Sequence, residues 1–427
     1  MGMNRQQKRG LVPATRFPEF RGAPKWSQKR FDEVFQRITT KNVEDNQNAL
    51  TISAQLGLVS QLHYFNKKVA AKNLSGYYLL HKGDFAYNKS YSQGYPMGAI
   101  KPLKLYEKGV VSTLYICFRA KKGFNESFFE HYFEAGLLNS EIAKIAQEGG
   151  RAHGLLNVSV GEFFSNITLH VPSLEEQQKI ADCLNSISDL IDAQTQKLAA
   201  LKSHKKGLMQ QLFPAEGKVI PQLRFPEFKA NGAWDAKPLN KLTSYVDYRG
   251  KAPPKSDHGI FLVTAKNIKQ GNIDYDISKE YVLLDDYDEV MKKGKPIIGD
   301  VLLTTEAPLG NVAQIDRENV ALAQRVIKFR AGELIDNDFL KHYMLGDTFQ
   351  NLLKFMAIGS TVQGIQGKVL HKLTIKFPSG LEQKKITDCL NSIDELIKAQ
   401  TQKVDGLKAH KRGLMQQLFL SAPEVNV

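Results

Sequence analysis

The chain has 427 residues, of which 42% are hydrophobic and 9% aromatic, enough apolar side chains to form sizeable cores and too many for wholesale disorder. Its 58 Lys and Arg against 44 Asp and Glu give a net charge of +14. That favours a polyanionic partner, because basic side chains neutralise phosphates and release condensed counterions. The three cysteines, Cys117, Cys183 and Cys389, form no C-x-x-C pair, which argues against a disulfide framework or zinc ribbon and fits a reducing compartment. The basic amino-terminal stretch has no apolar core after it, and no run approaches the ~20 apolar residues of a membrane span. A soluble cytoplasmic protein of two to four domains is expected.

In chain order, the first marker is Arg16-Phe17-Pro18-Glu19-Phe20 followed by Trp26, after an arm of residues 1–15. Further on, Ile167-Thr168-Leu169-His170-Val171-Pro172 alternates like a strand and stops at proline. Ser173 and Glu176 then read as a capping box, with Ser accepting from an orphan N–H and Glu reaching back to the cap. The following segment has no proline until Pro214 and spaces its apolar residues 4-3: Ile180, Leu184, Ile187, Ile191, Leu198 and Leu201, interrupted by Gln194 and Lys205. This is a coiled-coil seam on a helix of about 40 residues, some 60 Å long at ~1.5 Å per residue.

The same series then recurs. Arg224-Phe225-Pro226-Glu227-Phe228 precedes Trp234, Leu373–Pro378 repeats the strand, and Ser379 with Glu382 repeats the capping box. The second seam runs Ile386, Leu390, Ile393, Ile397, Val404 and Leu407, interrupted at the equivalent Gln400 and Lys411. Between Gln177–Phe213 and Gln383–Phe419, 27 of 37 positions are identical. Residues 27–150 and 235–358 share only fragments such as Phe118-Arg119-Ala120 and Phe329-Arg330-Ala331. Each half therefore has a common frame and a private interior, as if each half reads something different.

Two readings of the helices stand open. Each packs on its own domain, or the two pair with each other, antiparallel. Polar seam residues cost stability but fix register and partner. Cys183 and Cys389 read as small buried residues beside the seam. Gly207 and Gly413, each costing ~1 kcal/mol against alanine in a helix, mark a kink or a close contact with another chain. The apolar ends Leu208, Met209, Leu212 and Phe213, with their copies, suit either a partner protein or the chain's own domains.

The order of private region, repeated helix, private region and repeated helix, with K-K-G-L-M-Q-Q-L-F helix ends and R-F-P-E-F flanks, closely resembles the specificity subunit of type I restriction–modification systems over essentially the whole chain. The resemblance implies an α/β fold: two globular target-recognition domains in tandem, separated by two long helices forming an antiparallel coiled coil. On this reading residues 1–171 are the first domain, 172–216 the first spacer helix, 217–378 the second domain, and 379–427 the second helix and tail. It further implies that each domain reads one half of a bipartite, asymmetric double-stranded DNA site. The helices set the gap and dock two methyltransferase subunits, and translocase–nuclease restriction subunits join the complex. S-adenosylmethionine, ATP and Mg are implied on those partner subunits and none on this chain.

Catalytic motifs are missing from the sequence, so no catalytic residue and no metal ligand is assigned. There is no N/D-P-P-aromatic motif, no G-x-G-x-x-G and no G-x-x-x-x-G-K-[ST]; Pro253-Pro254 sits in a turn-like K-A-P-P-K. Glu382-Gln383-Lys384 looks like an E-x-K element but reads as the helix cap. Asp285, Asp286, Asp288 and Glu289 read as a solvated face, and the histidines lack H-x-x-x-H spacing. A fused restriction–methylation enzyme would need those motifs. A coiled-coil adaptor without base reading is the remaining alternative, and the basic charge argues against it.

The expected chemistry is recognition, in which Arg and Lys reach guanine, Asn and Gln reach adenine, and hydroxyls hold phosphates. Candidate DNA-binding residues on glycine-flanked loops are Asn88, Lys89, Tyr91, Gln93, Arg151 and His153 in the first half. In the second half they are Arg249, Lys251, Lys266, Asn267, Gln324, Arg325, Ser360, Thr361 and Gln363. The T-E-A-P-L-G turn from Thr305 to Gly310 resembles a recurring element of such domains, and the Gly150 loop is a loose counterpart of the Gly359 loop.

Overall fold

The computed structural model describes residues 12–67, 70–71, 73–146, 156–248, 252–359 and 363–420. It divides into two compact units, Met1–Thr195 with Lys403–Val427, and Gln196–Gln402. Both long helices are unbroken for 39 residues, Leu174–Leu212 and Gly380–Leu418, and each unit contains part of both.

The two units are built on one plan. In the first, a four-stranded antiparallel sheet runs in the order Phe35–Arg37, Ile116–Ala120, Phe85–Asn88, Ala99–Pro102. In the second, the order is Thr243–Asp247, Val326–Ala331, Val301–Thr305, Leu309–Gln314. Registers match, with Phe85 opposite Phe118 in one sheet and Val301 opposite Phe329 in the other. The strand ending at each proline pairs with the segment after each tryptophan: Thr168–Val171 with Ser27–Arg30, and Thr374–Phe377 with Asp235–Pro238.

The private interiors differ in architecture as well as sequence. The first adds two antiparallel pairs, Leu50–Ser53 with Gly57–Ser60 and Tyr78–His81 with Lys108–Val111. The second adds a three-stranded sheet in which Ile260–Val263 pairs parallel with Val320–Leu322 and antiparallel with Tyr281–Val282.

Each helix both packs on its own domain and meets the other helix. In the first unit Ile180 and Leu184, near the start of the first helix, join the core around Trp26, Phe128 and Phe163. Met415, Leu418 and Phe419, at the end of the second helix, enter that same core. In the second unit Ile386 and Leu390 of the second helix share a core with Trp234 and Phe339, and with Leu212 and Phe213 from the end of the first. The ring of Phe419 lies 5.5 Å from Phe128, and that of Phe213 lies 5.5 Å from Phe339. The apolar helix ends thus have partners within the chain.

Along the seam Ile180, Leu184, Ile191, Ile386, Leu390, Ile393 and Val404 are buried, while Ile187, Leu198, Leu201, Ile397 and Leu407 are half-buried. The polar interruptions are used across the pair. Lys205 reaches Asp394 at 2.5 Å in the second unit, and Lys411 reaches Ser188 Oγ at 2.7 Å in the first. In each unit one helix index rises as the other falls, so the pairing is antiparallel. Cys183 and Cys389 are half-buried rather than buried, and the fully enclosed thiol is Cys117. A Cβ added at Gly207 or Gly413 would meet nothing within 4 Å, so within this chain neither glycine serves a close approach.

The capping-box reading needs correction. Ser173 Oγ does accept from Glu176 N at 3.3 Å, but the Glu176 carboxylate turns away to Arg16, whose Nε lies at 2.8 Å, and to the Trp26 indole N–H at 3.4 Å. Glu382 does the same with Arg224 Nε at 2.7 Å and Trp234 at 3.4 Å. The guanidinium Nη groups donate further to the carbonyls of Ala23 and Pro24 from Arg16, and of Asn231 and Gly232 from Arg224. These buried clamps tie the R-F-P-E-F marker to the start of each long helix, and charge-assisted bidentate bonds satisfy both ions out of water.

Candidate nucleic-acid interface

The sheets position a comparable rim in each unit. Under each rim lies a buried carboxylate after a glycine turn. Asp84 accepts from His81 N at 2.7 Å and from Arg119 Nη2 at 2.7 Å; Asp300 accepts from Ile297 N at 3.0 Å and from Arg330 Nη2 at 2.8 Å. The second pair is joined by Lys328, whose ammonium burial pushes below the usual lysine range while Asp300 pulls it back. These arginines came within the shared F-R-A fragments, but their partners lie 35 and 30 residues away in sequence. They stiffen the frame, as charge pairs with fully buried carboxylates do.

Above the frame, the connection from the second strand in sequence to the third forms the rim. In the first unit it runs from Lys89 to Gly98 and holds three of the predicted residues, with a fourth, Asn88, ending the strand before it. Asn88, half-buried, closes an Asx turn onto Ser90 N at 3.1 Å. Lys89 is half-buried and its carbonyl accepts from Leu156 N at 3.0 Å. Tyr91, 57% exposed, and Gln93, also exposed, stand at the tip.

In the second unit the corresponding connection is the short turn Glu306, Ala307 and Pro308, and predicted residues gather beside it. The cleft of about 220 Å³ next to this turn is lined by Lys266, Gln324 and Arg325 together with Lys255, Thr264 and Ala307. Arg325 Nε meets Glu306 Oε1 at 2.8 Å. Gly364 bridges to both Glu306 and Ile358, which brings exposed Gln363 alongside. Ile365 N donates to Thr305 O at 3.1 Å, the counterpart of the Leu156–Lys89 bond, so Leu156 and Ile365 meet their sheets at equivalent points.

One predicted residue does not belong to this surface. Asn267 is fully buried; its Oδ1 accepts from Thr264 N at 3.0 Å and Thr264 Oγ1 at 2.7 Å, and its Nδ2 donates to Asp274 O and Ser278 O, both at 2.9 Å. With its amide saturated internally it fixes a loop and has nothing left for a base. Arg151, His153, Arg249, Lys251, Ser360 and Thr361 lie outside the described residues. The sequence reading passed over Glu306, although it singled out the turn that carries it. Among the described residues no group of three or more His, Cys, Asp or Glu side chains is arranged to hold a metal ion, and no helix is long and apolar enough to cross a membrane.

The type I restriction modification DNA specificity domain model matches residues 24–203 and again 259–409. The chain is 28% identical over 276 residues to the type I restriction enzyme MjaVIII specificity subunit of Methanocaldococcus jannaschii, an alignment covering 60% of this chain and 62% of that one. It is 24% identical over 267 residues to a putative MjaX specificity subunit of the same organism, covering 60% of this chain and 59% of the relative. The chain thus spans about 60% of the length of the curated relatives it matches. Among solved structures, the S subunit of a type I restriction–modification system from M. genitalium aligns over 97% of this chain and 100% of its own, with TM-score 0.56 and 11% identity. A chain from a structure of type I R-M complex assembly and conformational transition aligns over 94% and 99%, with TM-score 0.52 and 17% identity. At these identities the structures speak for the fold alone.

Proposed function

Since the chain belongs to the type I restriction–modification DNA specificity family, we propose that it is the sequence-reading subunit of such a complex and that each unit reads one half of a bipartite, asymmetric duplex site. The observation that carries this is a frame built twice with unlike rims. A repeated sheet, clamp and helix end hold an exposed Tyr91–Gln93 loop in one unit and the Glu306–Arg325 cleft in the other. Two copies of one reader would recognise two like half-sites; two unlike rims on one frame predict two unlike half-sites.

In this reading the chain supplies binding and register, and carries no catalytic group. The paired helices set the gap between half-sites and dock two methyltransferase subunits, with translocase–nuclease subunits joining for restriction. S-adenosylmethionine, ATP and Mg belong to those partners, and the complex works in the cytoplasm. The net charge of +14 provides the phosphate-directed, salt-sensitive part of the affinity, and the rims provide the base-directed part.

The test is methylation mapping. The chain is expressed with its cognate methyltransferase subunit and the modified adenines are sequenced on a host genome. A split motif with two unlike halves and a fixed gap is expected. Exchanging residues 235–358 for those of a relative should then change one half only; a change in both halves would sink the two-reader assignment.

A further inference from the structure

Four arginine–carboxylate pairs of this chain come as two matched sets: Arg16–Glu176 with Arg224–Glu382, and Arg119–Asp84 with Arg330–Asp300. In all four the carboxylate side chain is at most 2% exposed, and each pair has its equivalent in the other unit. Arg325–Glu306 differs on both counts. Its side chains are 48% and 42% exposed. The sheet registers put Leu114 where Arg325 stands and Ser90 where Glu306 stands, so the pair is private to the second unit.

Its backbone is unusual too. Arg325 has φ 74°, in the left-handed region where glycine is at ease and a long side chain is strained. The position is held because the Arg325 carbonyl accepts from Thr305 N at 2.9 Å and from Thr305 Oγ1 at 3.3 Å. A glycine would satisfy that geometry, yet an arginine stands there and lines the cleft with Lys266 and Gln324.

We infer that Arg325 and Glu306 together form a reader for one G·C base pair in the half-site of the second unit. Glu306 lies 2.8 Å from the guanidinium Nε, and the terminal Nη edge would make the bidentate contact with guanine O6 and N7. The carboxylate is at the same time an acceptor suited to the cytosine N4 amine on the other strand. Leu114, 65% exposed, offers only an apolar contact at the equivalent place, so the first unit reads its corresponding position by other means. This inference rests on the DNA-reading function proposed above.

The experiment uses the full chain assembled with its methyltransferase subunits, and selection from randomised duplexes at several salt concentrations. Arg325→Ala, Arg325→Lys and Glu306→Gln are compared with the parent. Expected for Arg325→Ala is a loss of roughly 10–100-fold in affinity for the preferred site, confined to one G·C position of one half, with non-specific binding unchanged. Arg325→Lys, which keeps the charge, should lose discrimination at that same position, and Glu306→Gln should relax it. A loss spread evenly over all sequences, with a salt slope lower by about one and rescue by Lys, would make Arg325 a phosphate clamp and overturn the inference. Unchanged preferences in all three variants would overturn it as well. If the parent complex itself shows no sequence preference, the DNA-reading function fails first, and that outcome is separate from the other two.

Discussion

Set side by side, the two units agree wherever they touch the long helices and disagree wherever they face outward. Trp26 and Trp234 sit on equivalent glutamates, Glu176 and Glu382, at the starts of the two helices, and Phe419 and Phe213 fill equivalent places in the two cores. The rims, by contrast, differ in length and charge, and the strands added beside the shared sheet differ too. A frame under packing constraint tolerates little change, because each buried contact involves several partners at once. A rim under no packing constraint is free to diverge, and divergence there changes what is recognised without unmaking the fold.

The largest expected effect breaks the shared part. Glu382→Ala leaves Arg224 buried without its counter-ion and removes the acceptor of the Trp234 N–H. A cost of about 3–5 kcal/mol is expected by denaturant unfolding. Glu176→Ala should cost the same to within about 1 kcal/mol, since Arg16 and Trp26 repeat the geometry. If one variant is severe and the other silent, the two clamps are not equivalent and the common frame is less common than it looks.

Next comes a pH effect that sharpens the comparison. His131 and His342 occupy equivalent helices and each meets a helix-borne asparagine, Asn185 at 2.9 Å and Asn391 at 2.8 Å. Burial lowers both imidazoles, with Lys411 adding to this at His131 and Lys341 at His342, where the value falls from 6.5 to about 4. Between pH 6.5 and 4 the unfolded chain takes up the proton first, so stability is present above that window and is lost as acid is added. His342 alone should account for about 2 kcal/mol between pH 7 and pH 5. His342→Gln should flatten that part of the unfolding profile, and His131→Gln should flatten it less. Equal slopes in parent and His342→Gln would remove His342 from the account.

What the sequence revealed follows the same division. The repeat, the 4-3 spacing and the marker motifs identify the frame, because packing writes a period into the chain. The partners across that frame were hidden. Glu176 stands at the right distance for a capping box, and only the fold shows Arg16 waiting for it from 160 residues away. Asn267 was misjudged for a related reason: an asparagine that closes a loop and one that reads adenine have the same side chain, and burial alone separates them. At the rim, Gln324 and Arg325 are legible as polar loop candidates, but Glu306 lies 19 residues earlier, and nothing in that spacing pairs them.

The smallest effect concerns a seam crossing where the halves differ in charge. Lys205 faces Asp394, while Lys411 faces Ser188, the residue equivalent to Asp394 in the first helix. Asp394→Ser gives both crossings the same neutral partner, and a loss of at most ~1 kcal/mol is expected because Asp394 is 36% exposed and solvent screens the pair. Ser188→Asp is the reciprocal change. Burial already pushes the Lys411 ammonium below its usual range, with Glu134 and Glu130 only partly restoring it. A carboxylate at 188 should therefore stabilise the first unit by a few tenths of a kcal/mol and raise the Lys411 titration. Opposite signs for the two variants in thermal unfolding would mean that one acidic residue accounts for the asymmetry of the seam; a loss in both would mean that Ser188 is held by its bond to Leu184 O and by local packing rather than by charge.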